Sequence, residues 1–128
     1  MTFKIKYVIF SLVALLYSFN SLAQEDKKLV RVARLVIDPA QLESYNAFLK
    51  EEIETSMKVE AGVLTLYAVA EKEKPTHITI LEIYADVDAY KKHTQTPHFL
   101  KYKNGTKDMV KSLELVETVP LIPGMKIK

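Results

Sequence analysis

Residues 63–84 read VLTLYAVAEKEKPTHITILEIY. Val63 to Ala70 and Thr76 to Tyr84 are rich in β-branched and aromatic residues. The stretch between them, Glu71-Lys72-Glu73-Lys74-Pro75, is charged and ends on a proline that cannot donate to a strand ladder. The segment is therefore expected to form a β-hairpin. Alternation along its second strand places Ile78, Ile80, Glu82 and Tyr84 on one side. A carboxylate in such an apolar row needs a partner.

Working outward, Leu29 to Ile37 (LVRVARLVI) reads as another strand, with Val30 and Val32 opposed to Arg31, Ala33 and Leu35. Asp38 is placed to cap a helix that Pro39 can begin without losing a hydrogen bond. Leu42, Tyr45, Leu49, Ile53 and Met57 form its expected apolar stripe, and Gly62 its expected stop. After the hairpin, Asp86 opens a short helix carrying Ala89, Tyr90 and His93. Thr96-Pro97 opens another with Phe99, Tyr102 and Met109 inward. Asn104-Gly105 should kink or shorten that helix, since Gly costs about 1 kcal/mol relative to Ala in a helix interior. Leu113 to Val119 is the last expected strand, followed by an extended tail with Pro120 and Pro123. The order is β-α-β-β-α-β, an α+β ferredoxin-like arrangement. Helices cover one face of such a sheet. The other, rich in Val, Ile and Leu, would leave an apolar patch of several hundred Å² that monomers rarely tolerate. A homodimer with the two sheets face to face is expected.

The chain has 128 residues, with 18 Lys and Arg against 16 Asp and Glu and no Cys. Lys4 and Lys6 precede an apolar run from Tyr7 to Tyr17, and Ser21-Leu22-Ala23 offers small residues where a signal peptidase reads. Residues 1–23 are thus expected to be a signal peptide cleaved after Ala23, and residues 24–128 the secreted or periplasmic domain. The run falls short of the roughly 20 apolar residues that span a bilayer, so no stable membrane insertion is expected after cleavage. The remaining chain holds 16 basic and 16 acidic residues. Formal neutrality there argues against nucleic acid as a partner. Lack of cysteine removes disulfides, thiolate metal sites and Cys nucleophiles.

Candidate chemistry gathers around the end of the hairpin. Glu82, Tyr84, Tyr90, His93 and His98, with Tyr67 on the neighbouring strand, suit a small-molecule site that includes a group titrating near neutrality. His93 and His98 lie five apart with a proline between them, and His77 lies at the far start of its strand, so no metal site is expected. Phosphate and dinucleotide loops and nucleophile elbows are absent from the sequence, and no cofactor is indicated.

Glu82-x-Tyr84, Ala89-Tyr90-Lys91-Lys92-His93-Thr94-Gln95-Thr96-Pro97-His98-Phe99 with Tyr102, and Glu60-Ala61-Gly62 followed by Tyr67 carry a resemblance. Over about residues 29 to 124 the sequence resembles the antibiotic biosynthesis monooxygenase-like family, and within it the small quinol monooxygenases. The resemblance implies a dimeric α+β barrel and cofactor-independent oxidation of a quinol or related phenol by O2. It matches Tyr67, Tyr84 and Tyr90 to pocket aromatics and His93 and His98 to the two histidines of the motif; for such chemistry the base is expected to be His93 or His98, with Glu82 as the orienting or charge-compensating carboxylate and Tyr67, Tyr84 and Tyr90 as substrate-binding residues. Some relatives open haem with an Asn, a Trp and a His where this chain has Ala33, His93 and Lys103, so haem degradation is not implied. The alternative expectation is a non-catalytic secreted ligand-binding or assembly module on the same barrel.

Overall fold

The computed structural model describes residues 27–126, so the expected signal peptide lies outside the described residues. Residues 28–120 form one unit, and β1 (Leu29–Ile37) is one of the two inner strands of its sheet. Asp38 accepts from the Ala40 amide at 3.1 Å and starts a single 3-10 turn, Pro39–Gln41, which leads into helix α1 (Leu42–Val59). Strands β2 (Val63–Ala70) and β3 (His77–Tyr84) make the expected hairpin. Helices α2 (Val87–His93) and α3 (Pro97–Thr106) begin at Asp86 and Thr96, whose side chains accept from the amides of Ala89 and Phe99. Strand β4 (Val110–Thr118) closes the unit, starting three residues earlier than its alternation suggested. The sheet is fully antiparallel in the order β2-β3-β1-β4, the ferredoxin-like topology. Among the described residues no helix is long and apolar enough to cross a membrane. Residues 121–126, expected to be extended, contain a turn in which the Met125 amide donates to the Ile122 carbonyl at 3.0 Å.

The helices pack on the face built from Ala33, Leu35 and Ile37 of β1 and Ile78 and Ile80 of β3, closed by Tyr45 and Leu49 of α1. Here α1 departs from the expected stripe. Its buried residues are Tyr45, Leu49, Glu52 and Ser56, while Met57 is 43% exposed. The spacing of four, three and four is a straight helical row, and its last two members are polar.

Two glycines are explained by close approach. Gly62 does not end α1 through a left-handed conformation, because no glycine among the described residues has positive φ. Glu60 closes the helix instead, its amide donating to the Ser56 carbonyl at 3.0 Å. A Cβ at Gly62 would stand 2.6 Å from Ala89 Cβ, so the glycine lets α2 sit against the start of β2. Gly105 causes no early stop before Thr106. A Cβ there would stand 2.5 Å from Phe48 Cε1, so the residue admits that ring between α1 and α3.

Candidate active site

Pairing across the sheet places Leu66, Glu82, Arg31 and Glu117 side by side on the helix-facing side. Above this row, between sheet and helices, lies a cleft of about 740 Å³. Arg31, Glu82 and Tyr84 form its floor and Glu52, Tyr90, His93 and Tyr102 its walls, with Leu66, Ile80 and Phe99 as apolar lining.

Glu82 finds its partner two residues along the strand. The Tyr84 hydroxyl donates to Glu82 Oε1 at 2.6 Å, and the Tyr84 ring is fully buried. Burial pushes the Glu82 carboxyl above the usual carboxylate range, against the Tyr84 hydrogen bond and the charge of Arg31. It also pushes the Tyr84 phenol up, and the adjacent Glu82 adds to that shift. Arg31 stacks over Tyr90 at 4.3 Å and donates from Nη2 to Glu117 Oε1 at 3.3 Å. Its Nε–H is buried without a partner among the described residues, a condition that costs about 1–3 kcal/mol. Tyr45 and Tyr102 share a hydrogen bond of 2.6 Å between hydroxyls, and burial pushes the Tyr102 phenol up to about 12.

The histidine cluster sits where the end of α1 meets α2 and α3. His93 is 2% exposed, with Nδ1 2.9 Å from Glu60 Oε2 and Nε2 3.3 Å from Glu52 Oε1. His98 Nε2 lies 2.7 Å from the same Glu60 oxygen. Burial disfavours charge on Glu60, but hydrogen bonds from His98 and His93 outweigh it and hold its carboxyl below the usual range. Glu52 stands in the opposite condition. Burial pushes its carboxyl up, although Ser56 Oγ donates to Glu52 Oε1 at 2.8 Å. An ionised Glu60 takes the Nδ1–H of His93, which leaves Nε2 as the acceptor of a neutral ring. Nε2 and Glu52 can then hold one proton between them at the wall of the cleft.

Of the residues expected in the site, the structure brings Glu82, Tyr84, Tyr90 and His93 together around the cleft. His98 backs Glu60 and does not line it. Tyr67 is placed elsewhere. A bulge between Val63 and Thr65 shifts the register of β2, so that Leu66 takes the helix side opposite Glu82. Tyr67 then pairs with Leu81 on the opposite face and is 66% exposed. Glu82 makes no hydrogen bond to the histidines; Glu52 and Glu60 hold that position. Glu60 entered the sequence reading only within the resembling Glu60-Ala61-Gly62 segment, with no role, and Glu52, Ser56 and Arg31 were given none. The row Tyr45, Leu49, Glu52, Ser56 was the available signal for two of them.

The spacing argument that kept His93 and His98 apart is also corrected. The Thr94–Thr96 turn reverses the chain and brings both rings to Glu60, with ligating atoms of the three side chains all within 4.8 Å of one another. These are the residues that could hold a metal. Both nitrogens now stand 2.7–2.9 Å from one carboxylate oxygen. Tetrahedral zinc, with ligands at about 2.0–2.1 Å, needs ligand atoms about 3.3 Å apart, so the cluster would have to open to admit it.

The family model for antibiotic biosynthesis monooxygenase matches residues 29–105. A crystal structure from Bacteroides thetaiotaomicron, provisionally named an antibiotic biosynthesis monooxygenase, is 64% identical with a TM-score of 0.80 over 81% of this chain and 99% of that one. A provisionally named monooxygenase of Lactobacillus acidophilus is 29% identical with a TM-score of 0.71, over 74% of this chain and 45% of that one. A Nitrosomonas europaea structure, 18% identical over 77% of this chain and 94% of that one, shares the fold with a TM-score of 0.71. No curated protein matches the chain. With the model spanning more than half of its length and a near relative of known structure matched almost end to end, the chain belongs to the antibiotic biosynthesis monooxygenase family.

Proposed function

We propose that the protein is a cofactor-independent monooxygenase that oxidises a quinol or related phenol with O2. The observation that carries this reading is His93, held between Glu60 and Glu52 at the wall of an aromatic cleft. An electron-rich dihydroxyaromatic that loses a phenolic proton can pass one electron to dioxygen without a metal or flavin. The protein's task is to hold the ring, take the proton and place donors near the reduced oxygen. In this reading the Glu52–His93 pair takes the proton, Glu60 and His98 fix the imidazole, and Tyr84 and Tyr90 pack and orient the ring. Superoxide and the semiquinone radical then join at a ring carbon. O–O cleavage with loss of the ring C–H proton gives a hydroxyquinone and water. Of the four electrons that O2 accepts, two come from quinol-to-quinone oxidation and two from converting C–H to C–OH.

Oxygen uptake with a panel of menadiol-like quinols tests this. His93→Ala is expected to lower the rate by about 10²–10⁴-fold, the contribution of a general base. His98→Ala should lower it less, since it acts through Glu60. Unchanged rates in both variants would remove the base, and quinol binding without uptake would instead favour the non-catalytic module.

The remaining reading concerns assembly and compartment. The face away from the helices carries a row of Tyr67, Leu81, Val32 and Val116, with Val69 49% exposed nearby. A second copy packed sheet to sheet would cover it, and sedimentation reporting a monomer would refute that pairing. Export is expected to leave Gln24 as the first residue of the protein recovered from the secreted or periplasmic fraction, which intact-mass measurement reads directly.

A further inference from the structure

Four cationic side chains line the cleft, Arg31 on its floor and the exposed Lys103, Lys107 and Lys111 at its opening. Among the described residues the lining acids are Glu52 and Glu82. Glu52 is 5% exposed, and Glu82 is half-buried beside Arg31. The three lysines come from different places in the chain, the body of α3, the turn after it and the start of β4. Among the described residues none of them has an acidic partner within ion-pair distance, whereas Lys50 and Lys101, on the outer surface, pair with Glu54 and Glu51. Asp38, half-buried, is near enough to feel Lys111 but forms no ion pair with it among the described residues. On the floor, Arg31 retains an N–H with no partner, so Glu117 does not satisfy the whole guanidinium. A cleft lined mainly by one sign of charge concentrates ligands of the other sign.

We propose that the cleft selects hydroxyaromatic substrates bearing a carboxylate, which Lys103, Lys107 and Lys111 hold at the opening while the ring enters toward Tyr84 and His93. The assignment of which end enters rests on the oxygenase reading above; the preference for an anion does not. A neutral ring gains only the apolar and aromatic lining. A carboxylated one adds the lysines, and Arg31 offers the floor a further donor for a phenolic oxygen.

Menadiol and 1,4-dihydroxy-2-naphthoate differ by a methyl against a carboxylate on the same ring and serve as the probe pair. Anaerobic calorimetric titration separates binding from turnover. The naphthoate is expected to bind roughly tenfold or more tightly at low ionic strength. The gap should narrow with added salt and collapse in Lys103→Gln/Lys107→Gln/Lys111→Gln. It should persist in Lys91→Gln/Lys92→Gln, which alters two exposed lysines of α2 that do not line the cleft. Equal affinities, a preference indifferent to salt or to the triple substitution, or no binding of either compound would overturn the inference. Oxygen uptake is read separately: a naphthoate preference without uptake refutes the oxygenase and leaves the anion selectivity standing, and uptake without preference does the reverse.

Discussion

Ser56→Ala is expected to displace the pH dependence of quinol oxidation. Ser56 is fully buried on the inner row of α1, and its hydroxyl donates to Glu52 Oε1 at 2.8 Å. Burial raises the Glu52 carboxyl, and Ser56 is the strongest of the contacts that oppose the rise. Removing one oxygen alters little volume, so the effect is the lost hydrogen bond, about 1.5–3 kcal/mol for a charged acceptor. The bond favours ionised Glu52 over neutral Glu52. At 1.36 kcal/mol per unit, the acid limb of the rate profile should therefore move up by about one pH unit or more. The assay is steady-state oxygen uptake with menadiol across roughly pH 5 to 9, run beside thermal melting. A raised carboxyl stabilises the fold only below its unfolded value and loses that contribution as pH rises through the folded value. The variant should accordingly melt lower at neutral pH and near wild type in acid. If melting shifts as described while the acid limb stays in place, Glu52 is not part of the proton-accepting pair.

Two further sets of variants test the fold and its charges. Glu60 is held low by its histidines, so it adds stability above the unfolded carboxylate range and loses it as pH falls through its lower folded value; Glu60→Gln should melt lower at pH 7, with the difference closing only as pH falls below about 4. Glu82 is raised by burial and has the opposite sign. Glu82→Gln, which can still accept from Tyr84, should melt higher at pH 7 and near wild type in acid. Gly62→Ala drives a methyl into Ala89, an overpacking of about 1–3 kcal/mol, partly offset by about 0.4–1 kcal/mol from the stiffer unfolded chain. Denaturant unfolding should show net destabilisation that Ala89→Gly partly relieves, and an unchanged midpoint would refute the close-approach account.

What was legible in the sequence was whatever repeats locally. Strand alternation and the Asp38 and Asp86 caps sufficed for the element order, and a period of two was enough to put Glu82 and Tyr84 on one side, though not to name the tyrosine as the partner of the carboxylate. What was not legible depended on residues distant in sequence meeting in space. Tyr67 left the cleft because one extra residue near Leu64 inverts the faces of β2, and a bulge has no marker in VLTLYAVA. Glu52 and Ser56 resemble the wet side of a helix until their register with Tyr45 and Leu49 is followed, and Arg31 resembles an ordinary strand cation until Glu82 and Glu117 flank it. His93 and His98 meet only because the turn after α2 folds back on the end of α1, which spacing along one helix cannot anticipate.

In the proposed reaction the cleft inserts one atom of dioxygen into a phenolic ring after the Glu52–His93 pair takes a proton. Turnover of menadiol under ¹⁸O2, with product mass and label in water measured together, tests it most directly. The expected outcome is a hydroxyquinone carrying one labelled oxygen and one labelled water per turnover, both formed about 10²–10⁴-fold more slowly in His93→Ala. Unlabelled quinone with hydrogen peroxide, or no product at all from a quinol that binds, would contradict it.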